Sequence, residues 1–275
     1  LRFSKLIVVA VSVVLTLAVV VIALNLAIGE KQITEEVRRL YSIDDPQFVR
    51  TMGVALGPAI VGGNRFRALQ NGDEIFPAML AAIRGATKTV TFETYIYWSD
   101  EIGREFADAL AERARAGVKV HVMIDWVGSS QIDPRFLQVM EAAGVEVQKF
   151  HALQWYNLQR FNNRTHRKVL VVDGRIGFTG GVGIAGIWTG RAQDPEHWRD
   201  SHYSVEGPAA RGMQAVFMDN WVKTTGKVLH GEEYFPDVPP AGNGAAQVFS
   251  SSPSGGSESM KLMYLLAITA AKRSI

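Results

Sequence analysis

The sequence predicts an α/β domain, a mixed and mostly parallel sheet flanked by helices, preceded by one transmembrane helix. Three observations predict it. Residues 6–28 carry no charge. From residue 71 onward, β-branched and aromatic runs with period-two alternation take turns with helical stretches of 10 to 17 residues. The pair Asp173-Gly174 separates two further strand-like runs, a strong hairpin signal.

The N-terminal span LIVVAVSVVLTLAVVVIALNLAI has 23 residues, and a helix of about 20 crosses a bilayer. A signal peptide has a shorter apolar core and a small-residue cleavage site, and Asn25-Leu26-Ala27 is a poor one. The span therefore reads as an uncleaved anchor. Arg2 and Lys5 face Lys31, Arg38 and Arg39 across it, so positive charge does not orient it.

EKQITEEVRRL suggests a short charged helix, and GVALGPAIVGGNRF a connector turning at Gly57-Pro58 and Gly62-Gly63-Asn64. DEIFPAMLAAIRGA has helical spacing at Ile75, Met79, Ala82 and Ile83, and KTVTFETYIYW reads as a strand. Asp100 is placed to cap EIGREFADALAERARAG, which stops at Gly117. VKVHVMID is a strand, PRFLQVMEAAG a helix opened by Pro, and VEVQKF a strand. KVLVV and RIGFTG form the hairpin, HYSVEG is another strand, and PAARGMQAVFMDNWVKTTG another helix. Pro236, Pro239, Pro240, Gly242 and Gly244 mark a linker.

Composition excludes several chemistries. There is no cysteine, so disulfides, thiol catalysis and cysteine metal sites are out. The net charge of +2 is no nucleic-acid signature. His197 and His202 flank Asp200 but are weak metal ligands at that spacing. Gly181-x-Gly183-x-x-Gly186 matches a dinucleotide fingerprint, yet GIWTGRAQDPEHW is a poor helix and no βαβ continuation follows.

THRKVLVVDG, residues 165–174, carries the chemistry. On a strand starting at His166, alternation puts His166 and Lys168 on one face with Leu170 and Val172, and Arg167 on the other. An imidazole and an ammonium so placed converge on one phosphate, the first as nucleophile and the second neutralising a non-bridging oxygen. Alone, H-x-K reads as a solvated strand end. The full pattern, His166-x-Lys168-x4-Asp173 followed by Gly180-Gly181, is far more specific.

That pattern resembles the phosphodiesterase motif of the phospholipase D superfamily, and FETYIYWSDEIG, RARAGVKVHVMID and HWRDSHYSVEGPA resemble its bacterial cardiolipin synthase-like branch. The resemblance runs from about Asn71 to Trp221. It implies a phospholipase D-like fold and two such motifs, from two halves of one chain or from a homodimer. It also implies transfer of a phosphatidyl group from one phosphatidylglycerol to another through a phosphohistidine, with no metal or cofactor; on the near-neutral charge no nucleic-acid partner is expected. By position, His166 is the nucleophile or acid/base, Lys168 the phosphate ligand and Asp173 the residue that closes the motif. Asp200 is the candidate to orient the imidazole, Glu93 supports the site, and Trp155 and Trp188 are candidates for an aromatic mouth. The branch has Asn two residues after Gly-Gly; here Gly183 stands there, and backbone amides of the glycine loop are the expected substitute. A bacterial inner-membrane location follows from the resemblance. Hydrolysis of a lipid or nucleic-acid phosphodiester, and an inactive truncated product or non-catalytic lipid-binding membrane protein, are the alternatives.

SMKLMYLLAITAAKRSI matches EIFPAMLAAIRGATKTV at an offset of 185 residues. The expected organisation is therefore an anchor at 1–29, a connector at 30–70, a first phospholipase D-like domain at 71–235, a linker at 236–258 and the start of a second such domain at 259–275. The offset places a second H-x-K-x4-D near position 351.

Overall fold

The computed structural model describes residues 2–26, 36, 38, 41–150, 164–251 and 257–275. They form two units, 1–56 with 250–275, and 57–249. In the first, α1 (Arg2–Leu26) is a 25-residue apolar helix, roughly 37 Å long at about 1.5 Å per residue. That exceeds the ~30 Å hydrocarbon core of a bilayer. Its Thr16 hydroxyl donates to the Ser12 carbonyl at 2.8 Å, which keeps a polar group satisfied inside the helix. The charged helix expected over residues 30–40 lies almost wholly outside the described residues. In the same unit α2 (Pro46–Leu56) packs with the last helix, α7 (Ser257–Ala270). α7 matches the helix read from the sequence, and no strand follows it in residues 271–275.

The second unit is built on one sheet. Its strands are β1 (Val61–Gln70), β2 (Thr89–Thr94), β3 (Lys119–Asp125), β4 (Glu146–Phe150), β5 (Val169–Val172), β6 (Ile176–Gly180), β7 (Ser201–Glu206) and β8 (Gly244–Ala246). They lie in the order β4-β3-β2-β5-β6-β7-β1-β8. Only β2/β3 and β3/β4 pair in parallel; the other neighbours are antiparallel. The sheet is mixed and flanked by helices as predicted, but the mostly parallel arrangement is not what forms. The crossovers through α4 (Glu101–Arg115) and α5 (Pro134–Ala142) make the parallel third, whereas the hairpin and its neighbours return directly.

Two boundaries also shift. β1 belongs to the sheet, so residues 61–70 are no connector. Gly62-Gly63-Asn64 is a register shift inside β1 rather than a turn. The buried Asn64 amide donates to Val61 O at 2.8 Å and to Gly244 O at 3.2 Å, and Asn64 Oδ1 accepts the Ala209 amide at 2.8 Å. Those three bonds hold the irregular backbone. Likewise β8, within the expected linker, pairs with β1.

One face of the sheet packs on α3 (Asn71–Arg84), α4 and α5. Val90, Phe92, Leu170, Val172 and Phe178 meet Ile75, Ile83, Phe106 and Leu110 there in one apolar cluster. Asp100 caps α4 as predicted, accepting the Gly103 amide at 3.0 Å. The other face packs on α6 (Ala210–Thr225), through Val169, Val171, Val205 and Met213 and through Met123, Phe217 and Trp221. β2 is buried on both faces. Its α6 side is polar and answered by polar residues of α6: Thr91 donates to Gln214 at 3.0 Å, and Asn220 donates to Glu93 at 2.6 Å.

The β5–β6 turn carries Asp173 and Gly174 with φ of 52° and 62°, the positive-φ pair of a type I′ hairpin. The Asp173 carboxylate accepts from the amides of Thr87 (2.9 Å), Lys88 (2.8 Å) and Thr89 (2.9 Å) and from the Thr87 hydroxyl (2.8 Å). Burial alone would raise its pKa; the amides of Thr89, Thr87 and Lys88 and the Thr87 hydroxyl outweigh it and hold the carboxyl below its usual value. Asp173→Asn keeps the turn geometry and removes the charge those donors face. A loss of about 2 kcal/mol of unfolding free energy is expected at pH 7 by urea denaturation, since hydrogen bonds to charged groups contribute about 1.5–3 each. A depressed pKa gives stability that is present above the unfolded value and lost as pH falls through the folded one. The variant's loss should therefore shrink toward pH 3.

Candidate active site

The chemistry gathers at one edge of the sheet, where β1, β2, β3, β4 and β6 end and β5 and β7 begin. His166, Arg167 and Lys168 precede β5 instead of opening it, because the ladder to β2 starts at Val169 opposite Glu93. Tyr95, just past the end of β2, brings two of them together. Its ring lies 5.0 Å from the His166 imidazole, and Lys168 Nζ sits 5.5 Å from its centroid. Lys168 also donates to the His166 carbonyl at 3.0 Å. Arg167 turns to α6, donating to Val216 O at 2.8 Å and pairing with Asp219 at 3.0 Å. The division between His166/Lys168 and Arg167 thus follows the alternation read from the sequence.

The protonation states suit phosphate chemistry. The His166 pKa is lowered, first by burial and then by Lys168, against an opposing pull from Asp125. Burial brings Lys168 down to about 8, with Asp200 opposing. A neutral imidazole thus stands beside an ammonium at neutral pH.

Asp200 lies close enough to act on Lys168 but forms no hydrogen bond to His166 among the described contacts. Its carboxylate accepts from Trp188 Nε1 at 3.1 Å and from the Ser201 amide at 2.7 Å. Its main chain exchanges two bonds with Asn71, whose φ is 56°. The imidazole orientation expected of Asp200 is not what this arrangement shows. Asp173 lies at the other end of β5, about 17 Å along the chain from Lys168 at about 3.3 Å per residue. It frames the hairpin and does not join the cluster.

Gly180 and Gly181 have a steric reason. A Cβ on Gly180 would stand 2.5 Å from His202 Nδ1, and one on Gly181 would fall on the Asp200 carboxylate. His202 is buried, its Nδ1 has no hydrogen-bond partner among the described residues, and burial with the nearby Lys168 lowers its pKa to about 4. Gly183 is explained in the same way. A Cβ there would meet Ile96 Cβ at 2.7 Å and Trp188 Cζ3 at 3.1 Å. The glycine loop is zipped to residues 96–98 by Ile184 N to Ile96 O and Trp98 N to Ile184 O, both 2.9 Å. The amides of Gly181, Ile184 and Gly186 serve protein acceptors, so those three donors do not replace the missing Asn. Gly186–Trp188 is a single 3₁₀ turn rather than the helix of a dinucleotide site.

Of the aromatic mouth, Trp188 is buried, and Trp198, 54% exposed, stands edge-on to it at 5.4 Å. Trp155 lies outside the described residues. His197 bonds Asp194 at 2.5 Å.

Sequence reasoning missed Tyr95, Asp125, Thr165 and Asn220. Asp125 Oδ2 accepts the Thr165 amide at 2.9 Å, while its Oδ1 takes the amides of Val127 (2.9 Å) and Gly128 (3.0 Å). Glu93 accepts from the Thr165 hydroxyl and from Asn220. One signal was readable: Gln214 and Asn220 fall on the apolar stripe of α6 with Phe217, where polar residues call for buried partners.

The profile of the family described as "Cardiolipin synthase, PLD-like domain" matches residues 79–189. Over those residues the chain carries a phospholipase D-like domain. The sequence relatives that it matches are cardiolipin synthases. It is 37% identical over 220 residues to cardiolipin synthase 1 of Bacillus cereus, covering 76% of this chain and 43% of that protein. It is 34% identical over 216 residues to the cardiolipin synthase of Staphylococcus aureus, covering 77% and 44%. The chain thus spans less than half the length of these relatives. Among solved structures it is similar to Nuc from Salmonella typhimurium, a phospholipase D family member, at 14% identity and a TM-score of 0.47, covering 61% of this chain and 99% of that one.

Gly183→Asn should lower stability by about 1–3 kcal/mol, the usual cost of overpacking. Thermal unfolding of that variant with and without Ile96→Ala checks the cause: the second substitution should restore part of the loss.

Proposed function

We propose that the chain is one half of a phosphatidyltransferase that joins two phosphatidylglycerol molecules into cardiolipin and releases glycerol. The observation that carries the reading is the neutral His166 imidazole beside the Lys168 ammonium, both against Tyr95. The His166 ring attacks phosphorus, a P–N bond forms, and the P–O bond to the glycerol headgroup breaks. The leaving alkoxide takes a proton from a second histidine. That histidine then removes a proton from the headgroup hydroxyl of another phosphatidylglycerol, whose oxygen attacks phosphorus and releases His166. Lys168 neutralises the non-bridging oxygens throughout. The second histidine comes from a second H-x-K-x4-D, in a further domain or a second copy of this chain. The cardiolipin synthases it matches support this substrate class. α1 is long enough to tether the domain to the membrane that holds the lipid.

The test is the full chain in phosphatidylglycerol vesicles, with products resolved by mass spectrometry. Cardiolipin and glycerol in equal amounts, lost in His166→Gln, are expected once the second motif is present. Phosphatidic acid with glycerol would mean water is the acceptor, and no product with both motifs present would end the reading.

A pH profile tests Lys168. It loses its charge as pH rises through about 8, so KM for phosphatidylglycerol should climb above that pH. Lys168→Arg, which stays charged, should remove the climb.

A further inference from the structure

Beneath the reacting pair lies a buried polar group that the chemistry above does not use. Glu93, Asp125, Thr165 and Asn220 are all at most 4% exposed. Thr165 is the residue before His166, and it is held at two points. Asp125 takes its amide at 2.9 Å. Glu93 Oε1 takes its hydroxyl, and the same oxygen accepts Asn220 Nδ2 at 2.6 Å. Asn220 also reaches Thr165 Oγ1 at 3.3 Å. Glu93 Oε2 has no hydrogen-bond partner among the described residues. A carboxylate kept only to hold the fold together would use both oxygens, since a buried unpaired one costs about 1–3 kcal/mol. A neutral amide would make the same two bonds more cheaply.

We propose that Glu93 is a positioning residue, which sets the His166 imidazole by holding Thr165 from inside the sheet. The proposal rests on His166 being the reacting group. The groups around Glu93 are few. Met123 of β3 and Val169 of β5 flank it in the ladder. Asn220 and Asp219 face it from α6, and Thr165 and Arg167 from the segment before β5. Around His166 the charged groups are Lys168 and Asp125. Burial raises the Glu93 pKa to about 7, against the bonds from Thr165 and Asn220 and the charge of Arg167. Its ionised form is therefore present on the alkaline side of neutrality, where it holds Thr165 with a charged acceptor. Folding opposes that ionisation: a raised carboxyl pKa makes the native state bind the extra proton, so this group's contribution to stability falls between about pH 4.5 and 7. Function and stability thus pull in opposite directions at this one side chain.

The experiment uses the full chain in detergent micelles with histidine labelled at Cε1, following the His166 resonance from pH 4.5 to 9, assigned with His166→Gln. The wild type should show its own ionisation below the usual histidine value and a second inflection near pH 7. Glu93→Gln should lose the second inflection while its thermal midpoint at pH 8 stays equal to or above wild type. Thr165→Val, which keeps Glu93 but removes the link, should lose it too, and Thr165→Ser should retain it. In the transfer assay kcat of Glu93→Gln should fall about tenfold with KM unchanged, as for a misplaced reacting group. A wild type without the second inflection, or an inflection that survives Glu93→Gln or Thr165→Val, overturns the proposal. A chain that shows the inflections but transfers no lipid overturns the transferase reading and leaves the positioning role standing.

Discussion

The Asp173 carboxylate and the donors of residues 87–89 set the geometry on which the rest depends. Four donors converge on one side chain at the start of β2. They fix the β5–β6 turn against that start, and the antiparallel register of Val172 with Val90 and Val169 with Glu93 follows. The far end of β5 is then delivered to the far end of β2. There Glu93, Tyr95 and the close of β3 are waiting for Thr165, His166 and Lys168. The motif's closing aspartate thus helps to set where the His166 end of the strand lies from the opposite end. The spacing of its residues is the length of a short buried strand that spans the sheet from edge to edge.

That spacing explains why the site was partly legible in the sequence. His166, Lys168 and Asp173 sit on one continuous segment, so local alternation told which side chains part company, and Arg167 does leave for α6. The helix caps and the hairpin were legible for the same reason, since each rests on a neighbour in sequence. What escaped depends on distant partners. Thr165 matters because Asp125, 40 residues earlier, and Glu93, 72 residues earlier, both bind it. Asp200 was read as a partner for the imidazole, but Trp188, Ser201 and Asn71 commit it elsewhere. β1 hid because its glycines break the alternation, and only the tertiary bonds of Asn64 reveal a strand that continues through the irregularity.

The glycines after the motif follow one rule. Each stands where another side chain already occupies the space: His202 at Gly180, Asp200 at Gly181, and Ile96 with Trp188 at Gly183. The departure at Gly183 is thus coupled to its surroundings. The loop is drawn onto residues 96–98 more closely than a side chain at 183 allows.

The segment after α6 doubles back over the hairpin turn. A Cβ on Gly174 would stand 2.5 Å from both Pro236 Cδ and the Tyr234 carbonyl. Thr89 donates to Glu233 O at 2.9 Å, and the Tyr234 hydroxyl bonds His121 Nε2 at 2.8 Å. The ribosome makes the motif some sixty residues before it makes this strap. During synthesis the turn must therefore wait, uncovered, until residue 236 has emerged from the exit tunnel. The cover of the turn is thus the last part of this end of the sheet to be synthesised, after every residue that the turn itself bonds.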